Sequence, residues 1–137
     1  MQDVSDRWER MVAGSGQDSV VVVHVGTNDM ERARPVDLVN RYRALLKKMR
    51  ESGRKCVLSG ILPRVGSSAE WDARALRMNS EVQDMCEEAG VLFMDGWDMF
   101  YGRRELFARD GLHLSRRGME SFSDLLEGFV RATCQGN

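Results

Sequence analysis

Val21-Val22-Val23-His24-Val25-Gly26-Thr27-Asn28-Asp29 is the run from which the architecture can be worked out. With Ser19 and Val20 before it, the segment Ser19–Val25 reads as a strand that is apolar on both sides. A strand buried on both faces suits a parallel sheet with helices above and below. Gly26 then permits a tight turn, and Gly26–Met30 closes the strand with polar residues that include Asn28.

Outward from that strand the pattern alternates. Pro35 can open a helix at its first position. Val36, Val39, Tyr42, Leu45, Leu46 and Met49 recur at helical spacing through Arg50, and Gly53 stops the run. Lys55–Ile61 reads as a second strand and Pro63–Ser68 as a loop. Trp71, Ala75, Met78, Val82, Met85, Cys86 and Ala89 mark a long helix that ends at Gly90. Val91–Met94 is a third short strand. Asp95–Leu114 is irregular, with a short helical turn near Arg104. Ser115 is a good N-cap for a last helix lined by Met119, Phe122, Leu125, Leu126 and Phe129. Upstream, residues 3–13 carry a weak helical pattern (Val4, Trp8, Met11, Val12) that Gly14-Ser15-Gly16 ends. The expected class is α/β: a short parallel sheet of about three strands flanked by helices, with right-handed crossovers.

Composition bounds the function. The 137 residues are one domain's worth, 1–137, and 42% hydrophobic and 30% charged residues are ordinary for a globular protein. A formal net charge of -1 gives no bulk attraction to phosphate backbones. No apolar stretch approaches the roughly 20 residues that span a bilayer. The N-terminus lacks the apolar core of a signal peptide. Cys56, Cys86 and Cys134 form neither a metal-ligand pattern nor a disulfide framework, which suits reduced thiols in the cytoplasm or nucleus. No cofactor or metal is expected. Basic residues gather on the first long helix (Arg41, Arg43, Lys47, Lys48, Arg50), with Arg32 and Arg34 before it. A solvated helix face is the plain reading and a weak RNA or phosphate contact the alternative; no aromatic ladder supports the latter.

Two short blocks carry chemistry. Ligands of open parallel sheets bind beyond the carboxyl ends of the strands, where Gly26-Thr27-Asn28-Asp29 falls. An Asn side chain there can donate to a developing oxyanion, a contribution of about 2.7–4 kcal/mol, or simply form an Asx turn. Asp110-Gly111-Leu112-His113 places a carboxylate three residues before an imidazole. A basic histidine needs one ring nitrogen held and the other free, and a tight turn can supply the holding group. The plain alternative is a surface turn before a capped helix. The other histidine, His24, lies inside the strand and is expected to pack against a helix.

Together the blocks resemble those of the SGNH (GDSL-like) hydrolase family: Gly26-Thr27-Asn28-Asp29 its Gly-x-Asn-Asp block, Asp110-Gly111-Leu112-His113 its Asp-x-x-His block. Leu58-Ser59-Gly60-Ile61-Leu62-Pro63-Arg64, Asn79 and Leu112-His113-Leu114-Ser115 with Gly118 also fit, so the likeness runs from Ser19 to the end. In style the chain looks most like the esterase domains in first-reading-frame proteins of vertebrate LINE-type retrotransposons. The resemblance implies Asn28 as oxyanion donor, His113 as general base and Asp110 as its orienting partner.

It also implies a serine in a Gly-Asp-Ser turn after a first strand, and a second block that supplies a glycine N–H. Neither motif stands in the 18 residues before Ser19. Ser15 would lie at the wrong end of the strand, about 20 Å away at roughly 3.3 Å per residue. Ser59 is better placed but lacks the sharp turn that exposes a nucleophile, and Ser67 and Ser68 lie on a loop. The expectation is an N-terminally truncated, catalytically silent domain that acts as a binding or structural module. The alternatives are an esterase completed by Ser59 or by a partner chain, and a retroelement-derived nucleic-acid accessory domain. Asn28 and His113 are expected to meet at the carboxyl end of the sheet. The resemblance further implies that Ser19–Val25 is the third of five strands in the order 2-1-3-4-5. Without the first two it would be an exposed edge, open to two-fold self-pairing in a homodimer or, alternatively, covered in part within one chain by the residues 3–13 segment with Trp8 and Met11.

Overall fold

The structure, a computed structural model, describes residues 9–13, 20–24 and 34–135. Its elements in chain order are β1 (Glu9–Ala13), β2 (Val20–His24), α1 (Pro35–Glu51), β3 (Cys56–Ser59), α2 (Ala69–Ala89), β4 (Leu92–Met94), α3 (Trp97–Phe100), a 3-10 turn at Arg104–Leu106, and α4 (Arg116–Gln135). The sheet runs β1-β2-β3-β4. β2, β3 and β4 are parallel, with Val22 opposite Val57 and Leu58 opposite Phe93. This is the expected three-stranded parallel core between helices.

Strand alternation sorts the core into two layers. Val23 and Leu58 point to one face, where they join Leu38, Tyr42 and Leu45 of α1 and Ala75, Met78 and Val82 of α2. Val22, Val57 and Met94 point to the other and meet Phe100, Leu106, Phe122 and Leu126. Both strand faces are thus buried, which is why β2 carries no polar alternation. Val36 and Met119, expected on the buried stripes of their helices, are 59% and 62% exposed; each stands in the first turn of its helix. Cys56 and Cys86 are buried and free, and burial pushes the Cys86 thiol up to about 12, leaving it inert.

The N-terminal segment departs from expectation. The spacing within residues 3–13 predicts a helix, yet Glu9–Ala13 is a strand that pairs antiparallel with β2, Glu9 opposite His24 and Ala13 opposite Val20. The physical reason is non-local. A short segment with few apolar residues forms no stable helix on its own. β2 offers a row of backbone donors and acceptors that a strand can satisfy. The same pairing occupies the edge on which a two-fold dimer was expected to form. Among the described residues no helix is long and apolar enough to cross a membrane.

Candidate active site

β3 does not stop at Ser59 in any abrupt way. The Gly60 N–H donates to the Met94 carbonyl at 2.9 Å, and Ser59 to Pro63 are all buried. Asn79, inside α2, clamps the next residue from both sides. Its Oδ1 accepts from the Ile61 N–H at 2.8 Å, and its Nδ2 donates to the Ile61 carbonyl at 3.0 Å. A Cβ at Gly60 would lie 2.7 Å from the tip of the Phe93 ring, which would have to shift to admit a larger residue. The chain leaving the carboxyl end of β3 is therefore held firmly as far as Val65.

The Asp110–His113 turn is mounted on that segment. The Val65 N–H donates to the Gly111 carbonyl at 2.9 Å, and Gly111 has a φ of +70, the left-handed region that favours glycine. Behind the turn, the Ala108 N–H donates to the His113 carbonyl at 2.8 Å. Arg104 donates to the Phe107, Ala108 and Arg109 carbonyls at 3.4, 2.9 and 3.4 Å. Ser115 caps α4 as expected, accepting from the Gly118 N–H at 3.1 Å, and also donates to the Glu105 carbonyl at 2.8 Å. At Gly118 a Cβ would stand 1.9 Å from the Leu106 carbonyl oxygen, so α4 can approach the 3-10 turn only with glycine there.

Asp110 and His113 come together as the spacing suggested. Asp110 Oδ2 lies 2.5 Å from His113 Nδ1, while its Oδ1 accepts from the Leu112 and His113 N–H groups, each at 2.9 Å. The ring hydrogen bond, then those two backbone bonds, hold the Asp110 carboxyl down to about 2. It is ionised at neutral pH and can only accept. Nδ1 is therefore the protonated nitrogen, and in the neutral ring Nε2 keeps its lone pair. Side-chain exposure is 74% for His113 and 48% for Asp110, so Nε2 is within reach of solvent. Such a pair can take up and return a proton. A cleft of about 500 Å³ opens beside Asp110, lined among others by Arg64, Ser67, Trp71 and Arg74. The Arg64 guanidinium lies 4.6 Å over the Trp71 ring.

The other site residues fare differently. Asn28 lies outside the described residues, as does the Gly26–Met30 turn. Ser59 is 1% exposed, and its Oγ is 3.3 Å from His24 Nδ1. Two-residue alternation puts His24 on the same sheet face as Val22, and its ring meets Phe122 of α4 edge-on at 5.3 Å. His24 thus packs against a helix, as expected. Ser67 donates to Asp72 Oδ1 at 2.6 Å and to the Arg64 carbonyl at 3.2 Å, and Ser68 caps α2. Among the described residues no serine hydroxyl bonds the His113 ring, and no group of His, Cys, Asp and Glu is placed to hold a metal. The residue pattern did not point to what Arg104 and Gly118 do. Gly118 had a signal, its place in the block after His113; Arg104 had none.

Comparison with known proteins gives the family and the fold. The model of the GDSL-like lipase/acylhydrolase family matches residues 1–120. The esterase domain of the ORF1 protein of the zebrafish ZfL2-1 retrotransposon is 34% identical, with a TM-score of 0.65 over 79% of this chain and 70% of that one. A GDSL-like lipase from Bacteroides thetaiotaomicron superposes at a TM-score of 0.69 with 13% identity, over 82% of this chain and 62% of that one. A lipase/acylhydrolase from Enterococcus faecalis gives 0.60 with 23% identity, over 80% of this chain and 58% of that one. At such identities the two bacterial proteins show the fold alone, and the chain spans less than two thirds of their length. A search of curated proteins finds no match. A family model spanning nearly the whole chain, with a one-third-identical esterase domain beside it, makes this protein a member of the GDSL-like lipase/acylhydrolase family.

Proposed function

We propose that these 137 residues form an acylhydrolase-type domain that keeps the acid–base arm of the site but does not itself turn over esters, serving as a binding or structural module. In this reading Asp110 orients His113, His113 is the base, and Asn28 is the donor to an oxyanion. Acyl esters are the substrate class of a site completed by a nucleophile. One observation carries the reading. His113 is held by Asp110 and open to solvent, yet the serine best placed in the sequence, Ser59, is 1% exposed and turned to His24 instead. The Ser59 hydroxyl has an imidazole beside it, but at that depth it is closed to a substrate carbonyl, and a nucleophile must reach the carbon it attacks.

The test is hydrolysis of a short-chain nitrophenyl ester by the chain, by His113→Ala and by Ser59→Ala. Equal rates for all three are expected, since loss of a nucleophile costs several orders of magnitude. A rate well above His113→Ala that Ser59→Ala abolishes would overturn the reading in favour of a working esterase. Fluorophosphonate labelling with peptide mapping gives a second readout, and no labelled serine is expected.

A further inference from the structure

Residues 40–55 hold seven of the chain's 20 Lys and Arg and one of its 21 Asp and Glu, a formal +6, while the remaining residues sum to -7. A nearly neutral protein is therefore strongly polarised along its sequence. The cations are Arg41, Arg43, Lys47, Lys48, Arg50, Arg54 and Lys55; all but the half-buried Arg41 are exposed. Arg43, Lys47 and Arg50 follow one another at spacings of four and three, so they form a row along one flank of α1 opposite the buried Leu38–Tyr42–Leu45–Met49 stripe. Past the helix end, Arg54 lines the same cleft as Arg50.

That row leads into a cleft of about 510 Å³ between the end of α1, the start of β3 and the Gly90 turn, where Arg50, Arg54 and Lys55 are lining residues. This cleft is at the amino ends of β3 and β4, at the opposite end of the sheet from Asp110 and His113. Among the described residues, none of Arg43, Lys47, Arg50 and Arg54 is in an ion pair. Like charges on successive helical turns repel when nothing neutralises them.

We propose that this row and its cleft are a docking surface for the phosphate backbone of double-stranded nucleic acid, bound without reading of the bases. Chemistry selects that partner. The only aromatic residue of α1, Tyr42, is 2% exposed, so no platform exists for stacking the bases of a single strand. Between residues 40 and 50 only Ala44 is apolar and exposed among the cations, and the one large exposed apolar side chain of α1, Val36, stands alone two turns before Arg43, so the face offers a lipid surface little to insert. From position 43 to 50 the row extends roughly 10 Å at about 1.5 Å per residue, enough to face about four phosphates at roughly 3.4 Å per step of one strand, with Arg54 beyond the helix end. This surface stands apart from the acid–base pair, so the proposal does not depend on whether the chain hydrolyses esters.

Fluorescence anisotropy with a labelled mixed-sequence DNA duplex of about 20 base pairs tests it across about 50 to 200 mM salt. If Arg43, Lys47, Arg50 and Arg54 each neutralise a phosphate, log affinity falls against log salt with a slope of about -3.6, a loss of roughly 100-fold over that range. The triple variant Arg43→Gln/Lys47→Gln/Arg50→Gln, checked for fold by circular dichroism, should bind at least tenfold more weakly, with a slope near about -1. Arg77→Gln/Arg131→Gln, which removes exposed cations elsewhere, should bind like the parent. The proposal fails if the parent does not bind at the lowest salt, or if the triple variant keeps the parent's affinity and slope. It fails equally if a single strand of the same length, or vesicles of phosphatidylserine and phosphatidylcholine, bind better than the duplex.

Discussion

The two histidines of this chain each bond a side-chain oxygen, one a carboxylate and the other a hydroxyl, in opposite surroundings. His113 and Asp110 share a hydrogen bond on the surface, in a turn fixed by backbone bonds from Val65, Ala108 and Leu112. His24 and Ser59 face each other inside the sheet-to-α4 layer, where the histidine ring rests against Phe122. The first pair is built by its neighbours so that one ring nitrogen stays available. The second is consumed by packing. Residue type alone does not make a reactive group; the direction in which the frame turns it decides.

If this contrast is right, the largest losses should come from the frame and not from the paired residues. Gly118→Ala would push a Cβ to 1.9 Å from the Leu106 carbonyl oxygen, a clash with backbone that no rotamer relieves. It should cost more than about 4 kcal/mol, read as a fall of at least roughly 10 °C in melting temperature. A melting temperature within a few degrees of the parent would show that α4 can move off the 3-10 turn.

Next in size is Asn79→Leu, which leaves the buried N–H and carbonyl of Ile61 without their side-chain partners. A loss of about 2–3 kcal/mol in urea unfolding is expected. Amide exchange at Val65 should also quicken, because the segment that carries the Asp110 turn loosens. A stability loss with unchanged exchange at Val65 would separate the two ends of that segment and weaken the idea of a shared frame.

Ser59→Ala should be milder, about 1 kcal/mol, since the bond to His24 is long at 3.3 Å. A gain in stability would mean that the hydroxyl is not engaged as the geometry has it.

The smallest effect belongs to the exposed pair. The folded Asp110 carboxyl is held at about 2 against an ordinary 3.8, so its charged form favours the folded state. That contribution is fully present above about pH 4 and is lost as pH falls through about 2. Asp110→Asn removes the titrating group, and its stability should vary less than the parent's between those limits. A carboxyl carbon chemical shift for Asp110 that titrates near 3.8 would sink the claim that the turn holds it ionised.

Local pattern carried a large share of this molecule. The all-apolar run at Val21 to Val23 needed burial on both sides, and Val22 and Val23 received it on opposite faces of the sheet. Helices α1, α2 and α4 follow from stripes of apolar residues, with Pro35, Gly90 and Ser115 marking their ends. The Asp110–His113 pair was legible because its members are three residues apart in one turn, so nearby backbone geometry is enough to join them. Asn28 was equally visible as a residue, but it lies outside the described residues.

What tertiary structure alone decided is whatever depends on partners distant in the chain. Glu9–Ala13 became a strand because β2 presented an unpaired edge, and no pattern within residues 3–13 records that edge. Ser59 was a plausible nucleophile by strand position. Its burial against His24, 35 residues away in sequence, turned it inward. Arg104 holds three carbonyls of the loop before Asp110 through geometry that composition does not encode. The reason is common to all three. Propensity and periodicity act over a few residues, whereas pairing, burial and close approach are set by which segments the packed sheet brings together.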